Sequence, residues 1–451
     1  MKTNEMRCRH GMRNMESRLA ALLRRHGGGR GKGLLSFTVV LPDLAFDALP
    51  PGLAAHHYWA SPADGVFLLG LGRAASVETR GEGRLRALDA AYAEYRRLWE
   101  AVDADGCALQ PIVLASFAFD QERRGNAWPN ASLTVPRLLL QRRGGTCAAT
   151  FSCDRESAPE NTLSAWRADW QKLTRSAALP HATNPHERIA AHPGDAAWIE
   201  RAAQAVADIR AGHLDKLVLS RRVTVRGQSA FEPATVMAAL TRRYPGCFRF
   251  SHCAGDATFL GATPERLVSL RREQVRSTAL AGTAWDAHSL ELLNDGKNLQ
   301  EHRLVVNAIV RALEPACRFL EIPARPEILA LHDLHHLKSE IRATVKPGVT
   351  LLNLVERLHP TPAVGGWPAQ AARAWLLRHG EQRPAWYSGA SGWLGLNGDG
   401  DFAVALRCAL LEGHEAELYA GAGIVAASDP CAELAETEAK LGAMLAALRG
   451  E

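Results

Sequence analysis

The chain has 451 residues, 47% of them hydrophobic and 22% charged, a balance that excludes disordered and fibrous classes and leaves apolar content enough for a large folded core. The net charge of +5 comes from scattered arginines with no dense basic block interleaved with aromatics, so nucleic acid is not an expected partner, while a small anionic ligand fits. Nine cysteines, odd in number and never spaced as C-x-x-C, read as reduced thiols of a cytoplasmic protein and not as a disulfide framework or zinc site. The polar first twenty residues have no apolar core and no run of about 18 apolar residues follows, so neither usual-route secretion nor a membrane span is expected.

In chain order, a short helix is predicted over 15–25, followed by the glycine-rich "HGGGRGKG" (26–33), read as a flexible linker because Gly33 stands where a phosphate loop needs Ser or Thr. Residues 34–190 are expected to form an N-terminal α/β part of the fold. Its strands are "LLSFTVVL", "GVFLLGLG", "PIVLASFAFD" and "RLLLQRRG", with a helix over 85–102. The polar stretch 152–192 reads as a surface connection holding one helical piece, "SAWRADWQKL". From 191 to 451 the pattern is denser. A helix over 195–212 leads to "DKLVLSRR"; strands follow at "FRFSHC", "ATFLGA", "RLVSLRR" and "QVRSTALAGT", then helices at 298–316 and 350–358. A hairpin turning at "NGDG", the strand "AELYAGAGIV" and a last helix from Pro430 close the chain. Strands and helices mix without strict β-α-β alternation, which predicts an α+β fold of layered antiparallel sheets flanked by helices.

Several residues are out of place for their surroundings. Lys216 sits in the middle of an apolar strand, on the face of Leu214, Val218 and Ser220. It is either an edge-strand lysine that blocks aggregation or a partly buried amine able to act as a base. Glu301 falls on the inward face of the helix whose stripe is Leu304, Val305, Ala308 and Ile309, and an inward glutamate needs a partner, a metal ion being one candidate. Glu433, Glu436 and Lys440 make one stripe on the last helix, just after "AGAGIV", whose small residues let backbone approach a ligand. Carboxylates from two helices without His or Cys suit Mg²⁺. Glu265 follows a proline between two strands, and Arg407 is a charge set in an apolar strand, a usual sign of a bound carboxylate. His332, His335 and His336 are poorly spaced for a metal and read as structural or substrate contacts.

In this order, "DKLVLSRR", "GATPERL", "ALAGT", "KNLQEH", "HHLKSEI", "HPTPAVGG", "YSGASGW", "VALRC" and "AGAGIVAASDPCAELAETEAK" resemble the chorismate-utilising enzymes, strongly over 190–450. The resemblance implies an anthranilate synthase component I-like fold, chorismate as substrate and Mg²⁺ held by Glu301 and Glu436 with Glu433 close by. It implies Lys216 as the base that activates water and Glu265 as the acid. Gly282, Thr283, His336, Tyr387, Arg407, Gly421, Gly423 and Lys440 would bind substrate. Members that add an amine resemble one another in carrying glutamine at the position of Lys216, so the lysine implies hydration, and no glutaminase subunit is expected. "HPTPAVGG" is similar to isochorismate synthases, whereas salicylate synthases carry a threonine in the region where this chain has Ala363. A salicylate synthase, an aminating subunit and a non-catalytic chorismate-binding protein are the alternatives. Asn298 stands where many relatives have an acid, which implies a weaker metal site. A monomer is expected.

Overall fold

The computed structural model describes residues 15–27, 31–42, 47–121, 128–174, 183–284, 291–332 and 334–451. Two large sheets lie face to face with helices on both outer sides. The first sheet runs, neighbour by neighbour, through His186–His192, Lys216–Gly227, Glu415–Ile424, Cys408–Glu412, Ala257–Thr263, Phe248–Ala254, His56–Ser61, Val66–Leu71, Leu138–Arg143, Thr146–Asp154, Leu34–Val40 and Trp99–Asp103. The second runs through Cys317–Glu321, His335–Val345, Gln274–Ala284, Arg266–Arg271, Gly400–Val404, Ala390–Gly395, Ile112–Phe117, Ala131–Val135 and Ala75–Thr79. Along these paths the pairings are antiparallel except that of Leu34–Thr38 with Trp99–Asp103, so the expected α+β layering is what the chain adopts. Strands from both sides of residue 190 contribute to both sheets.

The core is layered in the same way. Trp59, Phe250 and Phe259 of the first sheet meet Trp393 and Ala403 of the second between the sheets. The outer face of the first sheet is covered by helices 15–26, Pro159–Thr174, Pro233–Arg243 and Pro430–Arg449, through side chains such as Leu19, Trp166, Met237 and Met444. Helices Arg84–Leu98, Gly296–Leu313 and Leu351–Leu358 cover the second. Burying apolar faces on both sides of each sheet removes them from water at roughly 25 cal/mol per Å².

Four local predictions change. The helix expected over 85–102 stops at Leu98, because Trp99–Asp103 pairs in parallel with the first strand and Trp99 Nε1 donates to Ser36 Oγ at 2.7 Å. The connection at 152–192 is more ordered than its polarity suggests: Thr146–Asp154 is a strand, the helix spans Pro159–Thr174, and His186–His192 pairs with Arg222–Gly227. Of the glycine run, 28–30 lie outside the described residues, but Gly33 is built into the fold. A Cβ there would stand 2.2 Å from Leu98 O, at a φ of +134° that only glycine adopts freely. Lys216 is not on an edge, since Lys216–Leu217 pairs with Gly366–Trp367 on one side and the strand pairs with Glu415–Ile424 on the other. The eight described cysteines are free thiols, and no helix among the described residues is long and apolar enough to cross a membrane.

Candidate active site

The chain crosses from one sheet to the other at two places that lie side by side. Pro264 and Glu265 link Ala257–Thr263 to Arg266–Arg271, and Leu406 and Arg407 link Gly400–Val404 to Cys408–Glu412. The crossings are tied together, Val404 N donating to Glu265 O at 3.0 Å and Ala262 N to Arg407 O at 3.2 Å. Arg407 takes a φ of +47°, uncommon for a side-chain-bearing residue, in making its turn. Both crossings open into one cavity. It is lined by every predicted site residue except Glu433: Lys216, Glu265, Gly282, Thr283, Glu301, His336, Tyr387, Arg407, Gly421, Gly423, Glu436 and Lys440.

Alternation along Lys216–Gly227 puts Lys216 and Val218 into this cavity and Leu217 and Leu219 into the core. The side chain of Lys216 is 1% exposed, and its Nζ donates to Glu301 Oε1 at 2.8 Å. Gly423, paired with Val218 on the neighbouring strand, makes room for that contact, since a Cβ there would lie 2.6 Å from Glu301 Oε1. Gly421 does the same for Tyr387, whose hydroxyl stands 2.9 Å from where its Cβ would be. Burial works to raise the Glu301 carboxyl, but Lys216, with Lys440 and Lys297, outweighs it and holds the group below the usual glutamate range.

Two more lysine–glutamate pairs complete the pattern. Lys440 Nζ donates to Glu436 Oε1 at 2.7 Å and to Gly421 O at 3.0 Å. Lys297 Nζ donates to Glu433 Oε1 at 2.8 Å, and Ser428 Oγ donates to the same oxygen at 2.6 Å, so Glu433 stands behind the cavity wall. Burial and then the neighbouring charge of Glu436 raise the Glu433 carboxyl. Glu265 differs. Burial pushes its carboxyl up to about 8, against the opposing pull of Lys216, Lys440 and Arg407, so it holds its proton at neutral pH.

On the side of the cavity lined by Arg407 the side chains form a relay. Arg407 donates to His336 Nε2 at 2.8 Å, which fixes His336 as a neutral ring whose Nδ1–H faces Gly282 O and Thr283 Oγ1, both at 3.2 Å. Burial, with Arg407 and Lys440, holds His336 well below its ordinary range. Asn298 Oδ1 accepts from Thr283 N at 3.1 Å while its amide donates to the helix cap Asp295 at 2.7 Å, so this residue positions the Gly282–Thr283 turn.

Sequence reasoning missed Arg383. Buried against the ring of Phe119, its guanidinium donates to Val364 O at 2.5 Å, Ser388 Oγ at 3.0 Å and Val218 O at 2.8 Å, joining three segments of the cavity wall. Its only signal was a charge in "EQRPAWYSG", where no periodicity says which way it points.

The residues present fit a hard divalent cation. Glu301 and Glu436 bring carboxylate oxygens from two helices to the cavity, and the repulsion between Glu436 and Glu433 is what a cation would relieve. Among the described residues no three His, Cys, Asp or Glu side chains converge on one point.

The chain matches the family model for chorismate binding enzymes over residues 34–449. It is 34% identical over 412 residues to the salicylate biosynthesis isochorismate synthase of Pseudomonas aeruginosa, covering 87% of this chain and 84% of that protein. It is 31% identical to the isochorismate synthase MenF of Haemophilus influenzae, over 70% of this chain and 74% of that one. Among solved structures, the menaquinone-specific isochorismate synthase MenF of Escherichia coli superposes with a TM-score of 0.78 at 27% identity, over 96% of this chain and 99% of that chain. Anthranilate synthase component I of Streptococcus pneumoniae, at 19% identity and a TM-score of 0.70 over 84% of this chain and 92% of that one, shares the fold. The resemblance read from the motifs and the layered fold it implied are both borne out: the chain belongs to the chorismate binding enzyme family.

Proposed function

We propose that this protein is a Mg²⁺-dependent isochorismate synthase, which reversibly converts chorismate to isochorismate by adding water at C2 of the ring and releasing the C4 hydroxyl. The observation that carries the reading is the pairing, in one cavity, of a wholly buried lysine with a glutamic acid that burial keeps protonated. Lys216, as the neutral amine, takes a proton from the attacking water as its oxygen bonds to C2, the ring double bonds shift, and Glu265 gives its proton to the departing hydroxyl, which leaves as water. Arg407 and Tyr387 clamp the enolpyruvyl carboxylate, with Arg407 held in place by His336. Glu301 and Glu436 would hold the Mg²⁺ with Glu433 behind them; when bound, the ion supplies positive charge that neutralises the ring carboxylate and keeps it in register. Lys216, where aminating relatives carry glutamine, favours water over ammonia. The enzyme is read as a cytoplasmic monomer that needs no glutaminase subunit.

The test is chromatography of the products from chorismate, with and without Mg²⁺ and ammonium. Isochorismate that appears only with Mg²⁺ and is indifferent to ammonium is the expected result. Salicylate and pyruvate as the main products, or an aminated product that depends on ammonium, would replace the proposal.

A further inference from the structure

A second cavity, of about 440 Å³, lies where the two sheets meet, along the strand Arg266–Arg271. Arg143 reaches it from the first sheet and Arg271 and Arg276 from the second. Its two aspartates are already taken: Arg266 binds Asp401 through Nε at 3.0 Å and pairs with Asp64 as well. Arg143, Arg271 and Arg276 have no carboxylate within ion-pair distance among the described residues. Asp399, whose charge acts on Arg143, is engaged by Arg272 N at 2.6 Å and by Asn397 at 2.9 Å. Burial and the like charge of Arg271 pull the Arg143 guanidinium down to about 10, with Asp399 offsetting part of this.

Three gathered guanidiniums with no carboxylate in ion-pair contact repel one another and together attract something that brings negative charge. Two of them are also held ready, for Arg143 and Arg271, arriving from different sheets, stand 4.8 Å and 5.0 Å from the centre of the buried Trp393 ring. Stacking of this kind fixes the planar forks that bind phosphate or carboxylate two oxygens at a time. We propose that this recess is a binding site for a small multivalent oxyanion, a phosphate ester or polycarboxylate, gripped by Arg143 and Arg271 with Arg276 at its rim. The site is separate from the catalytic cavity, which has its own anion-binding arginine in Arg407.

The experiment is calorimetric titration of pyrophosphate, and separately of citrate, into the full chain without added metal, alongside R143Q/R271Q, R276Q and R407Q. Binding of at least one probe is expected, kept in R407Q, weakened at least about tenfold in R143Q/R271Q and about threefold in R276Q. Preference for pyrophosphate or citrate assigns the ligand to phosphate or carboxylate chemistry. No binding of either probe to the unaltered chain, binding lost in R407Q but kept in R143Q/R271Q, or equal affinity in all variants overturns the proposal. Thermal melting of each variant guards against misfolding, and R276Q, altered at an exposed position, carries the test if the double variant does not fold.

Discussion

The two cavities handle charge in opposite ways. In the candidate active-site cavity and the wall behind it, each inward carboxylate on a helix has its own lysine: Lys216 for Glu301, Lys440 for Glu436, Lys297 for Glu433. In the arginine recess, three guanidiniums stand without an acid. Burial explains the difference, since a charge removed from water must be matched or neutralised, whereas a group still touched by solvent can stand unpaired at modest cost. Glu265 is the informative exception on the buried side, because it meets the requirement by keeping its proton. A buried acid that solves its problem by protonation is one that can donate that proton.

The contrast breaks most completely at Lys216 and Glu265. K216A or E265Q should lower turnover by at least about 10³-fold, read in a chorismate consumption assay, while calorimetry still detects Mg²⁺-dependent chorismate binding. Full activity in either variant would remove the assigned roles. Next in size is Gly423→Ala, whose Cβ would press on Glu301 Oε1 and lie 3.1 Å from Lys216 Cε. Displacing both ends of that ion pair should cost about 10²-fold in kcat with little change in melting temperature.

Glu433→Gln sharpens the comparison from behind the wall. It removes a partner of Lys297 without touching the cavity, so Mg²⁺ affinity should fall by about tenfold and kcat at saturating metal should hold. The pH profile gives a further reading. Glu265 would work as an acid only while protonated, so with its carboxyl raised to about 8, kcat should fall as pH rises through that point. An unshifted glutamate would put the same loss near pH 4, and a profile flat to pH 9.5 would contradict the assignment. The smallest effect belongs to the recess: R143Q should change folding stability by no more than about 0.5 kcal/mol in chemical denaturation, because it removes repulsion as well as stacking.

Much of this was legible in sequence where a charge broke an apolar pattern. Lys216 interrupts a strand, and Glu301 interrupts the inward stripe of a helix; both point where periodicity sends them. Periodicity says nothing about partners, so the stripe of Glu433 and Glu436 read as one set of ligands although Lys297 and Ser428 hold Glu433 back. It also fails for side chains in turns, which is why Arg383 escaped, and for an edge strand such as His186–His192, mostly exposed and without alternation, whose existence depends on hydrogen bonds to a strand 30 residues further on. The switch from helix to strand at Trp99 was hidden for the same reason, its partner being the first strand of the fold.

The pairing of Lys216–Gly227 with Glu415–Ile424 has a consequence in time. The strand that carries Lys216 acquires its neighbour Glu415–Ile424 only after almost two hundred further residues have been made, and the helix that carries Glu436 and Lys440 is made later still. Contacts so distant along the chain form late, because the loop between them must be closed first. A nascent chain on the ribosome therefore carries Lys216 on a strand with an unfilled edge while the intervening residues are made, exposed to mispairing until Glu415–Ile424 arrives. Competence to bind chorismate should accordingly appear in a single step, once the helix Pro430–Arg449 has been made, and not grow as the polypeptide lengthens.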